Sequence, residues 1–332
     1  MHRPPDDRPP DTSPSLAKLG ELVRNAHGRI RSSILETPIE SASDLVPDVS
    51  VRLLLKREDL QQTGSFKLRG ATNKILSLTP SQAAAGVIAA SNGNHGLGVA
   101  HAAKRAGIAA EIYVSSHVSP AKAQHIEKLG ARVHYAGTDP LDAELAARAA
   151  GKKSGKVFIS PYNDLEVMAG QGTIAVELLR QASALDSVFV AVGGGGLIGG
   201  IGAYLKQASP QTEVVGCWPQ NSRVLYESIQ AGRIIDYPEE PTLSESTDGG
   251  LEPGSVTLEV CKDVIDRAVF ASEDEILAAM RMVQQAKGWL MEGAAAVAFA
   301  AFLKEARRYN GKTVAVIICG GNVSPDVLRR LA

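Results

Sequence analysis

Along most of the chain, short apolar runs of strand length alternate with longer stretches of helical period. Ser15 to Arg31 places Leu16, Leu19, Leu22 and Val23 on one face, as an amphipathic helix does, and Thr37-Pro38-Ile39 breaks it. Val51 to Leu55 reads as a strand, Ala71 to Leu78 as a helix, Val87 to Ala90 as a buried strand and Leu97 to Ala106 as a helix. Then come a strand at Ala110 to Val114 and a helix at Pro120 to Leu129, with proline in its first turn and Gly130 beyond its end. Arg132 to Tyr135 and Val157 to Ser160 are strands around a helix from Leu141 to Lys152, and a helix from about Gly170 to Ala182 follows. Strand Val188 to Val192, helix Leu197 to Leu205 and strand Val214 to Cys217 continue the alternation. Ser272 and Glu275 have the spacing of a capping box for a helix to about Lys287; a helix over Gly293 to Ala306 and an apolar strand over Thr313 to Ile318 close the series. Ile234 to Gly254 has no period and is predicted to be a long ordered loop over a site. Such alternation predicts an α/β fold of mostly parallel sheet with helices on both faces, where ligands bind beyond the carboxyl ends of strands.

Three strand ends carry unusual chemistry. After the charged turn Lys56-Arg57-Glu58-Asp59, the stretch Thr63-Gly64-Ser65-Phe66-Lys67-Leu68-Arg69-Gly70 puts Lys67 near a helix start. The positive end of a helix and burial both disfavour a charged lysine, and a neutral amine is what imine formation with an aldehyde needs. An isolated Ser-x-Lys is more often a surface lysine, so the case depends on the other two turns. Ser91-Asn92-Gly93-Asn94-His95-Gly96 and Gly193-Gly194-Gly195-Gly196 each join a strand to a helix, an arrangement that aims backbone N–H groups at an anion. Neither matches a P-loop or the dinucleotide fingerprint.

The 332 residues suit about two domains or one large α/β unit. Lys and Arg total 35 against 36 for Asp and Glu, so nothing favours nucleic acid or an anionic membrane surface. No apolar run reaches the ~20 residues of a membrane span, and Met1 to Pro14 reads as a disordered tail, not a signal peptide. Cys217, Cys261 and Cys319 are odd in number, far apart and without metal-ligand spacing, which fits a reducing cytoplasm. The histidines His101, His117, His125 and His134 are expected on the surface or in packing.

Taken in order, Lys56-Arg57-Glu58-Asp59-Leu60, Thr63 to Ala71, Ser91 to Gly96, the tetraglycine, Glu292-Gly293-Ala294-Ala295 and Cys319-Gly320-Gly321-Asn322 resemble the fold-type II pyridoxal-phosphate enzymes. The resemblance is closest to the threonine/serine dehydratase group, which includes serine racemase, and covers about Leu16 to Leu331. It implies a tryptophan synthase β-like fold of two three-layer α/β/α domains, with residues 15–60 plus 156–332 as the large domain and 61–155 as the small one. It implies pyridoxal 5′-phosphate held as an imine by Lys67, which later moves the substrate α-proton. Gly193, Gly194, Gly195 and Gly196 would cradle the phosphate, Phe66 would pack beside the ring, and Asn94 would bond the 3′ oxygen. Cys319 would face the pyridine nitrogen, and Glu292 would lie near the ring. Ser91, Asn92, Gly93, Asn94 and His95 would bind the substrate carboxylate, largely through backbone N–H groups. The charged Lys56 to Asp59 turn would shape the lysine loop. A homodimer is implied, with no C-terminal effector domain after Leu331.

The implied activity is an ammonia-lyase that removes water from a β-hydroxy amino acid, by default L-threonine or L-serine, leaving a 2-oxo acid and ammonia. A thiol at the pyridine nitrogen gives a weaker electron sink than a carboxylate, which suits β-elimination. Two departures stand out. Serine racemase carries a proton-transferring serine where this chain has Asn92, so racemisation is expected to be minor. The stretch Cys217 to Val224 lacks the carboxylates with which many relatives hold a divalent cation, so no metal is expected there. Thr242 to Gly250 also departs from the usual dehydratase pattern, which keeps 3-hydroxyaspartate, phenylserine and hydroxyectoine-derived substrates open. An amino acid racemase of the same fold and a non-catalytic cofactor-binding protein are the competing readings.

Overall fold

The computed structural model describes residues 15–331; the predicted tail, Met1 to Pro14, lies outside them. The strands are β1 (Ile39–Ser41), β2 (Arg52–Arg57), β3 (Val87–Ala90), β4 (Ala110–Val114), β5 (Arg132–Tyr135), β6 (Val157–Phe158), β7 (Ser187–Ala191), β8 (Glu213–Pro219), β9 (Arg267–Ala271) and β10 (Thr313–Ile318). The first helices are α1 (Leu16–Ile30), α2 (Lys67–Leu76), α3 (Pro80–Ala85), α4 (Asn94–Ala106), α5 (Pro120–Lys128), α6 (Pro140–Ser154) and α7 (Leu165–Gln181). They are followed by α8 (Gly196–Ala208), α9 (Val224–Ala231), α10 (Thr257–Val264), α11 (Glu273–Lys287), α12 (Gly293–Glu305) and α13 (Pro325–Leu331).

The strands form two sheets. The larger has six strands in the order β1-β2-β10-β7-β8-β9, all parallel except the β1 edge. The smaller has four, β5-β4-β3-β6, all parallel. The α/β fold with mostly parallel sheets is therefore present as expected. Because β6 pairs with β3, Val157 and Phe158 belong to the smaller sheet. The chain leaves that sheet after Phe158, later than the expected boundary at 156. The alanines of α12 are short enough for the helix to lie close on β7, β8, β9 and β10, and it is buried over most of its length. Among the described residues no helix is long and apolar enough to cross a membrane.

Six elements, β1, β9, α3, α9, α10 and α13, have no counterpart in the sequence pattern, and two others differ from it for identifiable reasons. Helix α7 starts at Leu165, ahead of the predicted Gly170, capped by the Asp164 carboxylate on the Glu166 and Val167 N–H groups. Gly170 and Gly172 weaken the helical pattern, yet they are there for contact: a Cβ on Gly170 would lie 2.6 Å from the Arg69 carbonyl, and one on Gly172 2.6 Å from the Gly200 carbonyl. The backbones of α2 and α8 thus approach α7 more closely than side chains would allow. Strand β2 in turn continues through Lys56 and Arg57, which the pattern assigned to a turn.

Those charges are buried because they are paired. The Lys56 ammonium donates to Glu177 and to the Thr37 carbonyl, each at 2.6 Å. The Arg69 guanidinium donates to both oxygens of Glu58, at 2.7 and 2.8 Å, and to both of Glu177, at 2.6 and 2.8 Å. Two cations and two carboxylates therefore cancel inside the protein, which is the condition for tolerating buried charge. Burial still holds the Lys56 amine below its usual value, despite Glu58 and Glu177. The network joins β2, the turn at Glu58–Leu60, α2 and α7. Arg69 lies about 200° around α2 from Lys67, so pinning Arg69 inward turns Lys67 to the opposite side. Glu177→Gln leaves Lys56 and Arg69 short of countercharge and is expected to destabilise the fold by about 3–5 kcal/mol, read from urea denaturation. A loss under about 1 kcal/mol would show that the network is dispensable.

Candidate active site

The lysine loop is fixed by the turn that follows β10. The Phe66 N–H donates to the Cys319 carbonyl at 3.0 Å, Ser65 bridges Gly320, and the Gly321 N–H donates to the Gly64 carbonyl at 2.9 Å. Gly64 has a φ of 74°, a left-handed conformation that glycine adopts without steric cost. Lys67 is then the first residue of α2, and its amine donates to the Pro161 carbonyl at 3.0 Å and lies 5.1 Å from the centroid of the buried Phe66 ring. Burial lowers the Lys67 amine from the usual lysine value to about 8, against the opposing pull of Cys319 and Glu292.

Cys319 directly follows β10 and is buried; burial and the nearby Glu292 push its thiol well above the usual cysteine value, so it is a neutral S–H at physiological pH. Glu292 immediately precedes α12. Burial raises its carboxyl, while Asn94 donates to its two oxygens at 3.1 and 2.9 Å. The structure thus brings Phe66, Lys67, Asn94, Glu292 and Cys319 together.

The tetraglycine runs from the end of β7 into α8, and no side chain caps that helix. Its first N–H groups are left for an anion. The glycines leave the backbone bare because there is no space for anything else: a Cβ on Gly194 would lie 2.5 Å from the Tyr162 ring, and one on Gly193 2.8 Å from Thr247. Helix α4 opens at Asn94 in the same uncapped way after Gly93. In its loop, the Ser91 hydroxyl accepts from the Gly93 N–H at 3.1 Å.

Two side chains of this loop are committed elsewhere. The Asn92 amide donates to the Ser115 hydroxyl at 2.8 Å and accepts from the Ser115 N–H at 2.9 Å. His95 is buried, and burial together with the Lys67 charge lowers its imidazole to about 3, so it is neutral. Its Nε2 lies 2.8 Å from the Ile159 carbonyl, which can only accept, so Nε2 carries the proton. His95 therefore ties α4 to the end of the smaller sheet, and a carboxylate at this loop is left with backbone N–H groups.

Several site residues escaped the sequence reading. Tyr162 packs on the tetraglycine, and its hydroxyl accepts from the Glu252 N–H at 2.8 Å. The Glu252 carboxylate accepts from Ser160 and Asn163 at 3.1 and 3.0 Å and is ion-paired with Arg148 at 2.6 Å. The same loop places the Ser246 hydroxyl 3.5 Å from the Asn94 amide, so the irregular stretch does lie over the site. Asn322 bonds the Asn94 side chain directly. Of these, Asn322 had a signal in the sequence, as the last member of Cys319-Gly320-Gly321-Asn322, and Ser246 and Glu252 had one only as members of the predicted loop. Beyond β8, folding brings Glu239 and Asp248 to Ser222, although neither lies in Cys217 to Val224. Among the described residues no three His, Cys, Asp or Glu side chains converge as a metal site.

An amine at about 8, an uncapped glycine helix start, a neutral thiol at a strand end and a buried asparagine amide fit a phosphorylated aldehyde cofactor. Comparison with known proteins agrees. An L-threonine ammonia-lyase from Thermotoga maritima is 36% identical over 311 residues, 94% of this chain and 77% of that protein. A serine racemase from Arabidopsis thaliana is 34% identical over 306 residues, 91% of this chain and 92% of that protein. The structure of processed threonine deaminase isoform 2 from Solanum lycopersicum superimposes with a TM-score of 0.90 at 30% identity, covering 99% of this chain and 98% of that one. A family described as "Pyridoxal-phosphate dependent enzyme" matches residues 30–320, from α1 through the lysine loop and both glycine turns to the end of β10. The chain belongs to that pyridoxal-phosphate-dependent enzyme family.

Proposed function

We propose that the protein is an ammonia-lyase acting on a β-hydroxy amino acid, with L-threonine and L-serine as substrates. Water leaves first and is taken up again when the enamine product hydrolyses, so the net reaction releases ammonia and a 2-oxo acid. The names of the relatives point both to elimination and to racemisation. The observation that favours elimination is Asn92, whose amide is held at both ends by Ser115 and carries no proton to the second face of the substrate.

When bound, the cofactor supplies a sink for the electron pair released at Cα. The chain's own residues do the rest. The uncapped start of α8 holds the phosphate, and that of α4 holds the substrate carboxylate. Lys67 takes the α-proton, a task its lowered pKa suits. The neutral Cys319 thiol would face the pyridine nitrogen and leave the sink weaker than a carboxylate would, which suits β-elimination. Asn94, backed by Glu292, would help to hold the cofactor in place. Tyr162 and the loop from Leu243 to Glu252 limit access of water. The two sheets with their helices are read as two domains closing on this cleft. A homodimer completes the reading, and its placement in a reducing cytoplasm is supported by three cysteines that are all free and buried.

The test is release of 2-oxo acid from L-threonine and L-serine by the loaded protein, with Lys67→Ala expected to lose at least about a thousandfold in rate. An active Lys67→Ala variant, or no product from either substrate, would overturn the assignment. In deuterated water the α-proton of D-serine should exchange at least about tenfold more slowly than that of L-serine; equal, fast exchange would mean a second base. For the cofactor-free protein the sign of the pH dependence follows from Lys67. Below about 8 its amine is protonated and unreactive; above about 8 it is free. The rate of pyridoxal phosphate uptake, followed by visible absorbance, should rise about tenfold per pH unit below that midpoint and level off above it. A midpoint near that of an ordinary lysine would contradict the buried setting.

A further inference from the structure

Asn322 lies just past the Cys-Gly-Gly turn, and its contacts give the site a direction. Its Nδ2 donates to the Thr63 backbone carbonyl at 2.9 Å and to the Asn94 side-chain oxygen at 2.7 Å. A backbone carbonyl only accepts, so the atom of Asn322 that faces Thr63 is its nitrogen. The same nitrogen faces Asn94, so the atom Asn94 presents to it is an oxygen. The Asn94 nitrogen is then left on the far side, where it meets the Glu292 oxygens at 3.1 and 2.9 Å and the Ser246 hydroxyl at 3.5 Å. The starting point of this chain is itself fixed: Thr63 precedes Gly64, whose carbonyl accepts from the Gly321 N–H. Gly64 is also what gives Asn322 room, since a Cβ there would lie 2.6 Å from the Asn322 side-chain oxygen. Glu292 is tied to the same turn through the Asn322 backbone N–H.

We infer that Asn322 is a positioning residue that sets which end of the Asn94 amide faces the cofactor, so that Asn94 presents a donor there and not an acceptor. A donor stabilises an anionic ring oxygen, whereas a reversed amide would place oxygen against oxygen. The orientation of Asn94 is a property of this chain alone; its consequence for the cofactor rests on the function proposed above. Two substitutions separate the effects. Asn322→Ala removes the anchor. Asn322→Asp keeps the shape but offers only acceptors at neutral pH, which favours reversal of Asn94.

In the cofactor-free protein, NMR of the Asn94 side-chain amide should show at least about tenfold faster proton exchange in Asn322→Ala than in the native protein. In the loaded protein, the pH midpoint of the visible absorbance should rise by about one unit in Asn322→Asp, as expected for one lost hydrogen bond to a charged group, and by less in Asn322→Ala. In an Asn94→Ala background, Asn322→Asp should add no further shift. Unchanged Asn94 exchange in Asn322→Ala overturns the inference. So does an unshifted midpoint in Asn322→Asp, or a shift that persists without the Asn94 amide, because Asn322 would then act by another route. If Asn322→Asp does not fold, Asn322→Ala carries both measurements. If the native protein gains no visible band with pyridoxal phosphate, the proposed function fails, and the exchange measurement still decides whether Asn322 holds Asn94.

Discussion

A neutral cluster of buried charge underlies the site. Lys56, Glu58, Arg69 and Glu177 come from four separate segments, and none can be solvated where it lies. Each ion is tolerable only while the others are in place, so the cluster makes the positions of β2, α2 and α7 depend on one another. Its functional consequence is rotational. Holding Arg69 between Glu58 and Glu177 fixes α2 about its own axis, and Lys67, two residues earlier, is carried to the opposite side. The low pKa of Lys67 then follows from burial, and the neutrality of His95 from burial together with the Lys67 charge.

A second regularity concerns helix starts. Helices α1, α3, α5, α6, α7 and α11 are capped by Ser15, Thr79, Ser119, Asp139, Asp164 and Ser272. The helices that open on the site, α2, α4, α8 and α12, begin without a side-chain cap, as do α9 and α10. A cap typically contributes about 1 kcal/mol, so leaving it out sacrifices stability. What is gained is a set of unsatisfied N–H groups and positive dipole ends, which suits the anionic cofactor and the amino acid carboxylate of the proposed function. The same economy of side chains explains the glycines: at Gly193, Gly194 and Gly196 the neighbouring Tyr162 and Thr247 leave no volume for a Cβ.

The loop between Ile234 and Gly254 connects the two sheet-centred units. Leu243 rests on Gly293 at the start of α12, Ser246 reaches Asn94, and Glu252 docks on Arg148 of α6 and on Ser160 and Asn163. The edge of the site is therefore formed by a segment without regular structure, whose shape comes from contacts at both ends.

The chain's own pattern determined most of the strands and helices and the chemistry placed at strand ends. Lys67 at a helix start, the uncapped glycine turns, the Ser272–Glu275 capping box and the parallel α/β class were legible because periodicity, φ requirements and capping are settled within a few neighbouring residues. Tertiary structure decided the rest. Lys56 and Arg57 looked like part of a charged turn and not of a buried strand because partners such as Glu177 lie far along the chain. The reason for the glycines of α7 was not legible because the backbones that approach them belong to α2 and α8. Asn92 and His95 sit in the right loop, yet Ser115 and Ile159 determine what their side chains can do. Asn94 and Asn322 are 228 residues apart, and which way each amide points is set by a backbone carbonyl at Thr63. Protonation and hydrogen-bond polarity are properties of an assembled environment, so no local stretch of sequence contains them.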